Sequence, residues 1–177
     1  GNTLISFKID EDGQLVDRTQ NHDPEKIDKN LISNEAAYGK VEIYKPVNKQ
    51  SGSEDDDVYE NGAQFLVILT SKLKSLYSGD MRNAWNALKD QNGQNITDAD
   101  GNVILSSHEF SIITTGTEKN TDGKTMNGYG LSGDLATGKY TIMQFVSGTA
   151  KGYTPEDLKM KDESKEIEIT SNKTTDA

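Results

Sequence analysis

The chain has 177 residues, of which 29 are acidic and 19 basic, giving a formal net charge of -10; it has three prolines, one tryptophan and no cysteine. That length suits one domain, or one domain plus a piece of a neighbour. No apolar run approaches the roughly 20 residues of a membrane helix, the lack of cysteine removes disulfides, thiol nucleophiles and zinc–thiolate sites, and an acidic chain without a basic run argues against nucleic acid or an anionic membrane as partner.

Hydrophobic residues make up only 32% of the chain, but they cluster in short alternating runs, and that arrangement predicts a fold. Gly1 reads as a tag remnant ahead of a piece cut from a longer protein. Leu4 to Ile9 alternates as a strand, Asp10-Glu11-Asp12-Gly13 reads as its turn, and Gln14-Leu15-Val16 as the returning partner. His22 to Asn30 is polar, contains Pro24, and reads as a loop or one loose helical turn. Val41 to Tyr44 alternates cleanly; Pro46 then removes a ladder donor, so the strand lies at an edge or stops there. Lys49 to Asn61 reads as a polar acidic loop, and Gln64 to Leu69 as a strand buried on both faces.

One segment breaks the β pattern. Met81, Ala84, Trp85 and Leu88 fall at i, i+3, i+4, i+7, with Asp80 placed as N-cap and Asn92-Gly93 as the stop. This predicts a short amphipathic helix inserted between strands, with Trp85 packed on the sandwich. Strands resume at Asn102 to Leu105, Glu109 to Thr114, Tyr140 to Phe145 and Glu166 to Thr170, punctuated by Asp100-Gly101, Asp122-Gly123 and Gly138. The polar end from Ser171 to Ala177 reads as a linker or frayed tail. Short strands at this spacing predict an all-β sandwich.

Several motifs resemble chemistry and are better read otherwise. Gly128-Tyr129-Gly130-Leu131-Ser132-Gly133 matches a dinucleotide fingerprint, but that device needs a helix after it, and a strand follows here. Gly133 to Lys139 fits a phosphate-loop spacing, yet Tyr140 stands where a magnesium-binding hydroxyl belongs. Both read as flexible turns. His108-Glu109 begins a zinc motif that Ile112 interrupts, so His108 reads as an exposed residue at the start of a strand. Glu54-Asp55-Asp56-Asp57 lacks the interleaved spacing of a calcium loop and reads as a solvated loop. The Asp98-x-Asp100-Gly101 and Asn120-x-Asp122-Gly123 segments read as turns. Asn95-Ile96-Thr97 and Asn172-Lys173-Thr174 fit the N-glycosylation sequon, which matters only in a glycosylating host. No metal, no cofactor and no enzymatic activity are expected; a hydrolase would need a convergent acid–base constellation, and the two histidines are scattered.

Taken in order, four segments resemble a family. Gly39-Lys40-Val41-Glu42-Ile43-Tyr44-Lys45 is similar to the first strand of Cna B-type (SpaA-like, prealbumin-like) domains. Gly62-Ala63-Gln64-Phe65 resembles their second strand, Leu135 to Gln144 the strand written L-x-x-G-x-Y-x-x-x-E, and Gly152-Tyr153 the pair that follows it. The resemblance covers residues 39–172, and the insertion carrying Trp85 is longer than a minimal member has. Residues 1–38 are either the tail of a preceding module, whose last strand would be Leu31-Ile32-Ser33-Asn34, or strands added to this one; residues 173–177 are a linker or tail.

The resemblance implies a prealbumin or immunoglobulin-like β-sandwich with a short inserted α-helix. It implies a stalk or pilin module of a Gram-positive cell-wall-anchored surface protein, extracellular, whose partners are neighbouring modules or pilus subunits. In that family a buried Lys on the first strand attacks the carboxamide of an Asn on the last, ammonia leaves, and a Glu shuttles protons. Burial favours the neutral amine and the protonated acid, and fixed proximity replaces an enzyme. By position Lys45 is the nucleophile, Asn172 the acceptor, and Gln144 occupies the acid's place. A glutamine donates a hydrogen bond but shuttles no proton; Glu42 or Glu60 are the substitutes, with no basis for choosing. The alternative is an adhesive module that recognises host protein or glycan through the inserted helix, with Trp85 as the contact, and the 115–134 loop.

Overall fold

The computed structural model describes residues 2–9, 15–17, 37–48, 54–158, 160, 162–171 and 175–176. The described residues are built mostly of β-strands, with two short helices inserted between them. The turn at 10–13, the loop at 22–30, the strand at 31–34 and the acceptor Asn172 lie outside the described residues.

The first sheet is centred on β3 (Tyr38–Tyr44). On one side, β1 (Asn2–Ile9) runs parallel to it, with Asn2 opposite Tyr38 and Lys8 opposite Tyr44. The hairpin partner β2 (Leu15–Asp17) pairs antiparallel with β1, and β15 (Thr175–Asp176), within the segment read as a tail, runs parallel to β1. On its other side β3 meets β11 (Thr125–Leu131), which is paired in turn with β10 (Gly116–Lys119), and β12 (Leu135–Ala136). The second sheet is antiparallel, in the order β14 (Lys165–Ile169), β13 (Gly138–Val146), β6 (Gln64–Leu69), β9 (Phe110–Thr114). Two small hairpins complete the strands: β4 (Pro46–Asn48) with β5 (Glu54–Tyr59), and β7 (Ile96–Thr97) with β8 (Val103–Leu105).

β6 explains why there are two cores. Its side chains alternate across the sheet, as strand geometry requires. Phe65 and Val67 face the first sheet and pack with Val41, Ile43, Tyr140 and Ile142 between the sheets. Leu66 and Ile68 face outward and pack under the helices α1 (Thr70–Tyr77) and α2 (Met81–Leu88). The continuous apolar run is therefore a strand with no solvent face, as its sequence predicts.

Helix α2 forms where the spacing places it. Met81, Ala84, Trp85 and Leu88 are all buried, and the Asp80 carboxylate accepts from the amides of Arg82 (2.9 Å) and Asn83 (3.2 Å). Trp85 stacks on Phe145 with ring centroids 4.8 Å apart and planes 5° from parallel. One inserted helix was expected, and the described residues contain two. In α1, Leu73 is buried and Leu76 and Tyr77 half-buried, a single turn of apolar periodicity, and no side chain caps its start, so its sequence carries little signal. Its end is marked by two left-handed residues, Ser78 (φ 55°) and Gly79 (φ 73°).

Two segments read as irregular are strands. The acidic stretch within 49–61 supplies β5, and the glycine-rich 128–133 stretch supplies most of the second half of β11. The first was hidden by Asp and Glu, which are poor strand formers; the second by Gly128 and Gly130, whose place in β11 comes from close packing. A Cβ on Gly128 (φ 65°) would lie 2.5 Å from Tyr59 Cβ and 2.8 Å from the Lys45 carbonyl oxygen, and one on Gly130 2.5 Å from Ile113. Gly101 and Gly123 do turn tight hairpins with positive φ, and both Asp98 and Asn120 accept two backbone amides across those turns.

Candidate functional site

β3 carries Val41 and Ile43 into the inter-sheet core, and the alternation continues to Lys45, the residue just past the strand end. Pro46 interrupts the chain there and starts β4, whose hairpin turns back through β5. Pro46 pairs with Tyr59, so the next residues outward, Lys45 and Glu60, stand opposite each other. Their backbones are joined as well: the Glu60 amide donates to the Lys45 carbonyl (2.9 Å) and the Lys45 amide to the Gly128 carbonyl (2.8 Å).

The two side chains meet in the interior. Lys45 is 2% and Glu60 1% exposed, and Nζ lies 3.4 Å from Oε2. Nζ also donates to the Pro46 carbonyl at 2.8 Å. The other carboxylate oxygen, Oε1, accepts from the Gly148 amide at 2.5 Å. Oε2 itself makes no hydrogen bond among the described residues; its contact is the ion pair. Gly148 can come this close because it has no side chain: a Cβ there would sit 2.2 Å from the Asn61 carbonyl oxygen. Around Glu60 the backbone is pinned by Thr115, whose hydroxyl donates to the Glu60 carbonyl (2.7 Å) and accepts from Ala63 (3.0 Å). The acid is thus held by one oxygen and presents the other to a desolvated amine.

Burying an ion pair costs desolvation that the mutual attraction only partly offsets, so such a pair is weak evidence of a purely stabilising role. Chemically it provides a short proton path: transfer from Nζ to Oε2 leaves a neutral amine beside a carboxylic acid, the state in which a lysine is a nucleophile.

Gln144, aligned to the acid's place, shares the inward face of β13 with Tyr140 and Ile142 and is 8% exposed. Its Nε2 donates to the Val146 carbonyl (3.1 Å), beside the irregularity in pairing with β6. The acid beside Lys45 is Glu60. Glu42, the other candidate, points to the opposite face of β3, where its Oε1 accepts from the Tyr44 hydroxyl (3.0 Å) and from the amide and hydroxyl of Thr121 (both 3.3 Å). On that face burial pushes the Tyr129 phenol well above its ordinary pKa, and the hydrogen bond and charge of Glu42 push it the same way.

What singles out Glu60 is the pairing of Pro46 with Tyr59, a register that local sequence pattern does not carry. Reading 49–61 as a loop concealed it. Trp85, the proposed ligand contact, is 6% exposed and lies in the outer core against Phe145, and much of the 115–134 loop is the β10–β11 hairpin. His108 is half-buried rather than exposed, with Nδ1 2.9 Å from the Asp134 carbonyl oxygen and its ring 4.4 Å from that of Tyr38. Among the described residues no group of three or more His, Asp or Glu is placed to hold a metal ion, and no helix is long and apolar enough to cross a membrane. No protein-family model, curated protein or solved structure matches the chain.

Proposed function

We propose that the chain is a structural module of prealbumin-like, Cna B type, a stalk or pilin unit of a cell-wall-anchored surface protein, tied internally by a Lys45–Asn172 isopeptide bond. The observation that carries this reading is the buried Lys45–Glu60 pair at 3.4 Å on the inward-facing end of β3. In this reading Glu60, rather than Gln144, is the acid.

The step balances without any added reagent. A proton moves from Nζ to Glu60 Oε2 and the free amine attacks Cγ of Asn172; Glu60 hands that proton to Nδ2 and takes a second one from Nζ; the Cγ–Nδ2 bond breaks, ammonia leaves, and it carries off the last proton as ammonium, which returns Glu60 to its carboxylate. The hydrogen-bonding capacity left on Oε2 suits an amide N–H of the acceptor, and the site's dryness strengthens every such contact. The bond would restrict the unfolded chain as a disulfide does, in a protein without cysteine. Neighbouring modules of the same fibre are the partners, and the location is extracellular. The adhesive-module reading asks for an exposed aromatic surface on the inserted helix, and the burial of Trp85 favours the structural reading over it.

The test is mass. The denatured protein should be lighter than its sequence by one ammonia, and Lys45→Arg or Glu60→Gln should restore the full mass. Trypsin does not cut before proline, so Lys45 stays inside the peptide from Val41 to Lys49; that peptide should appear joined to the one from Glu166 to Lys173. Full mass and two separate peptides in the wild type would end the proposal.

A further inference from the structure

Three Asn-Gly pairs occur in the chain, at Asn61-Gly62, Asn92-Gly93 and Asn127-Gly128. Glycine leaves its own amide nitrogen unobstructed toward the preceding Asn side chain, so each pair can close a succinimide; the structure treats them very differently. At Asn61 both partners are engaged. Its Oδ1 accepts from Gly128, its Nδ2 donates to Thr117 (2.9 Å), and the attacking atom, the Gly62 amide, donates to the Thr115 carbonyl at 2.7 Å. At Asn127 the attacking amide is that of Gly128, buried within β11 and donating to Asn61 Oδ1 at 2.5 Å.

Asn92 has the opposite arrangement. Asn92 and Gly93 are exposed, in a turn closed by the Gln94 amide donating to the Gln91 carbonyl (3.0 Å), with Gly93 at φ 78°. Among the described residues the Gly93 amide makes no hydrogen bond. The Asn92 carboxamide is meanwhile held by one atom: Oδ1 accepts from the Ile112 amide at 2.8 Å. That donor polarises Cγ and is placed to stabilise the oxyanion that forms on attack. The free nucleophile and the polarised electrophile are adjacent, and solvent has access to take the proton.

We infer that Asn92-Gly93 is a site of spontaneous covalent modification in the folded protein. Hydroxide removes the Gly93 amide proton, the nitrogen attacks Cγ, and the Cγ–Nδ2 bond breaks as ammonia leaves. Water then opens the imide at either carbonyl, giving aspartate or isoaspartate. The place matters because β9 is the outermost strand of the second sheet, and Asn92 Oδ1 covers its Ile112 amide. An isoaspartyl linkage adds a backbone atom at that position and withdraws the cover, exposing a strand edge of the kind that pairs with other chains.

The experiment is peptide mapping of the intact folded protein after incubation at mildly alkaline pH. Tryptic peptides ending at Lys72, Lys119 and Lys139 each carry one of the three pairs, and fragmentation locates the change. Conversion at Asn92 should run about tenfold or more ahead of Asn61 and Asn127, because the locked amides react only after local opening. In urea the three rates should converge. Equal rates in the folded protein, or a persistent lead of Asn92 in urea, would overturn the inference. The succinimide loses ammonia as the proposed isopeptide bond does, but within one peptide rather than by joining two, so the two outcomes are read separately.

Discussion

The two cores on either side of β6 are built from the same strand by opposite means. The outer core is apolar, closed by Leu66, Ile68, Phe145 and the buried face of α2. The inner core is equally apolar along its middle, but near one end it holds a buried ammonium and carboxylate, with Gln144 also buried on its inward face. The outer core needs only hydrophobic side chains of about the right size, whereas the charged end of the inner core depends on matched partners and on glycines that let backbone approach. The difference locates a candidate site: Lys45 and Glu60 meet at that end of the inner core, while a further buried carboxylate, Glu42, lies on the opposite face of β3 with Tyr44 and Thr121.

The sharpest way to break this contrast is to remove one charge. Lys45→Met or Glu60→Leu alone should cost about 3–5 kcal/mol, since either leaves a buried charge uncompensated. The double variant should recover the part of that loss owed to the unpaired charge, because an ion pair replaced by apolar groups of similar volume is close to neutral, but not the part contributed by the proposed cross-link, which either single variant already removes. Urea denaturation of the four proteins gives the coupling directly, and additive losses would show that the two groups do not act as a pair. In the outer core, Trp85→Ala should also cost about 3–5 kcal/mol, with no loss of mass signature. The single tryptophan of the native protein should resist acrylamide quenching until the protein unfolds; ready quenching would place the indole at the surface. The smallest effect discriminates by location. Gly148→Ala puts a methyl 2.2 Å from the Asn61 carbonyl oxygen and should cost about 1–3 kcal/mol. Gly133→Ala meets nothing within 4 Å and should leave the melting temperature nearly unchanged.

Much of the second sheet was legible in the sequence, because β6, β9, β13 and β14 bury alternating or continuous apolar residues and that burial is written in local pattern. Helix α2 was legible for the same reason, with Asp80 as its cap. The first sheet was less so. β11 is a strand that uses Gly128 and Gly130 where a strand ordinarily uses branched side chains, and β5 is a strand of acidic residues whose formation rests on backbone pairing with β4. Lys45 was reached through the resemblance of its strand to the family's first strand, but the choice of acid between Glu42 and Glu60 was not legible, because Glu60 is 15 positions away and reaches Lys45 through the β4–β5 hairpin. Gln144 has the sequence position and the inward face, and its amide is spent on Val146. Pattern along the chain identifies what is buried; it does not identify which buried groups face one another.

β6 has one further consequence. A strand that is apolar on both faces gains little from polarity in choosing its alignment: sliding it by one residue exchanges Phe65 and Val67 for Leu66 and Ile68 and keeps both sides greasy. What fixes its alignment must come from its ends. At the N-terminal end Gln64 Nε2 is bonded to the Thr114 hydroxyl (3.0 Å), Thr115 grips Ala63 and Glu60, and Glu60 in turn holds Gly148 and Lys45. These polar contacts act as an alignment key for the whole sandwich, fitting only when every strand is in step, so that a charged pair costly to bury also rejects the near-miss folds that hydrophobicity alone would accept.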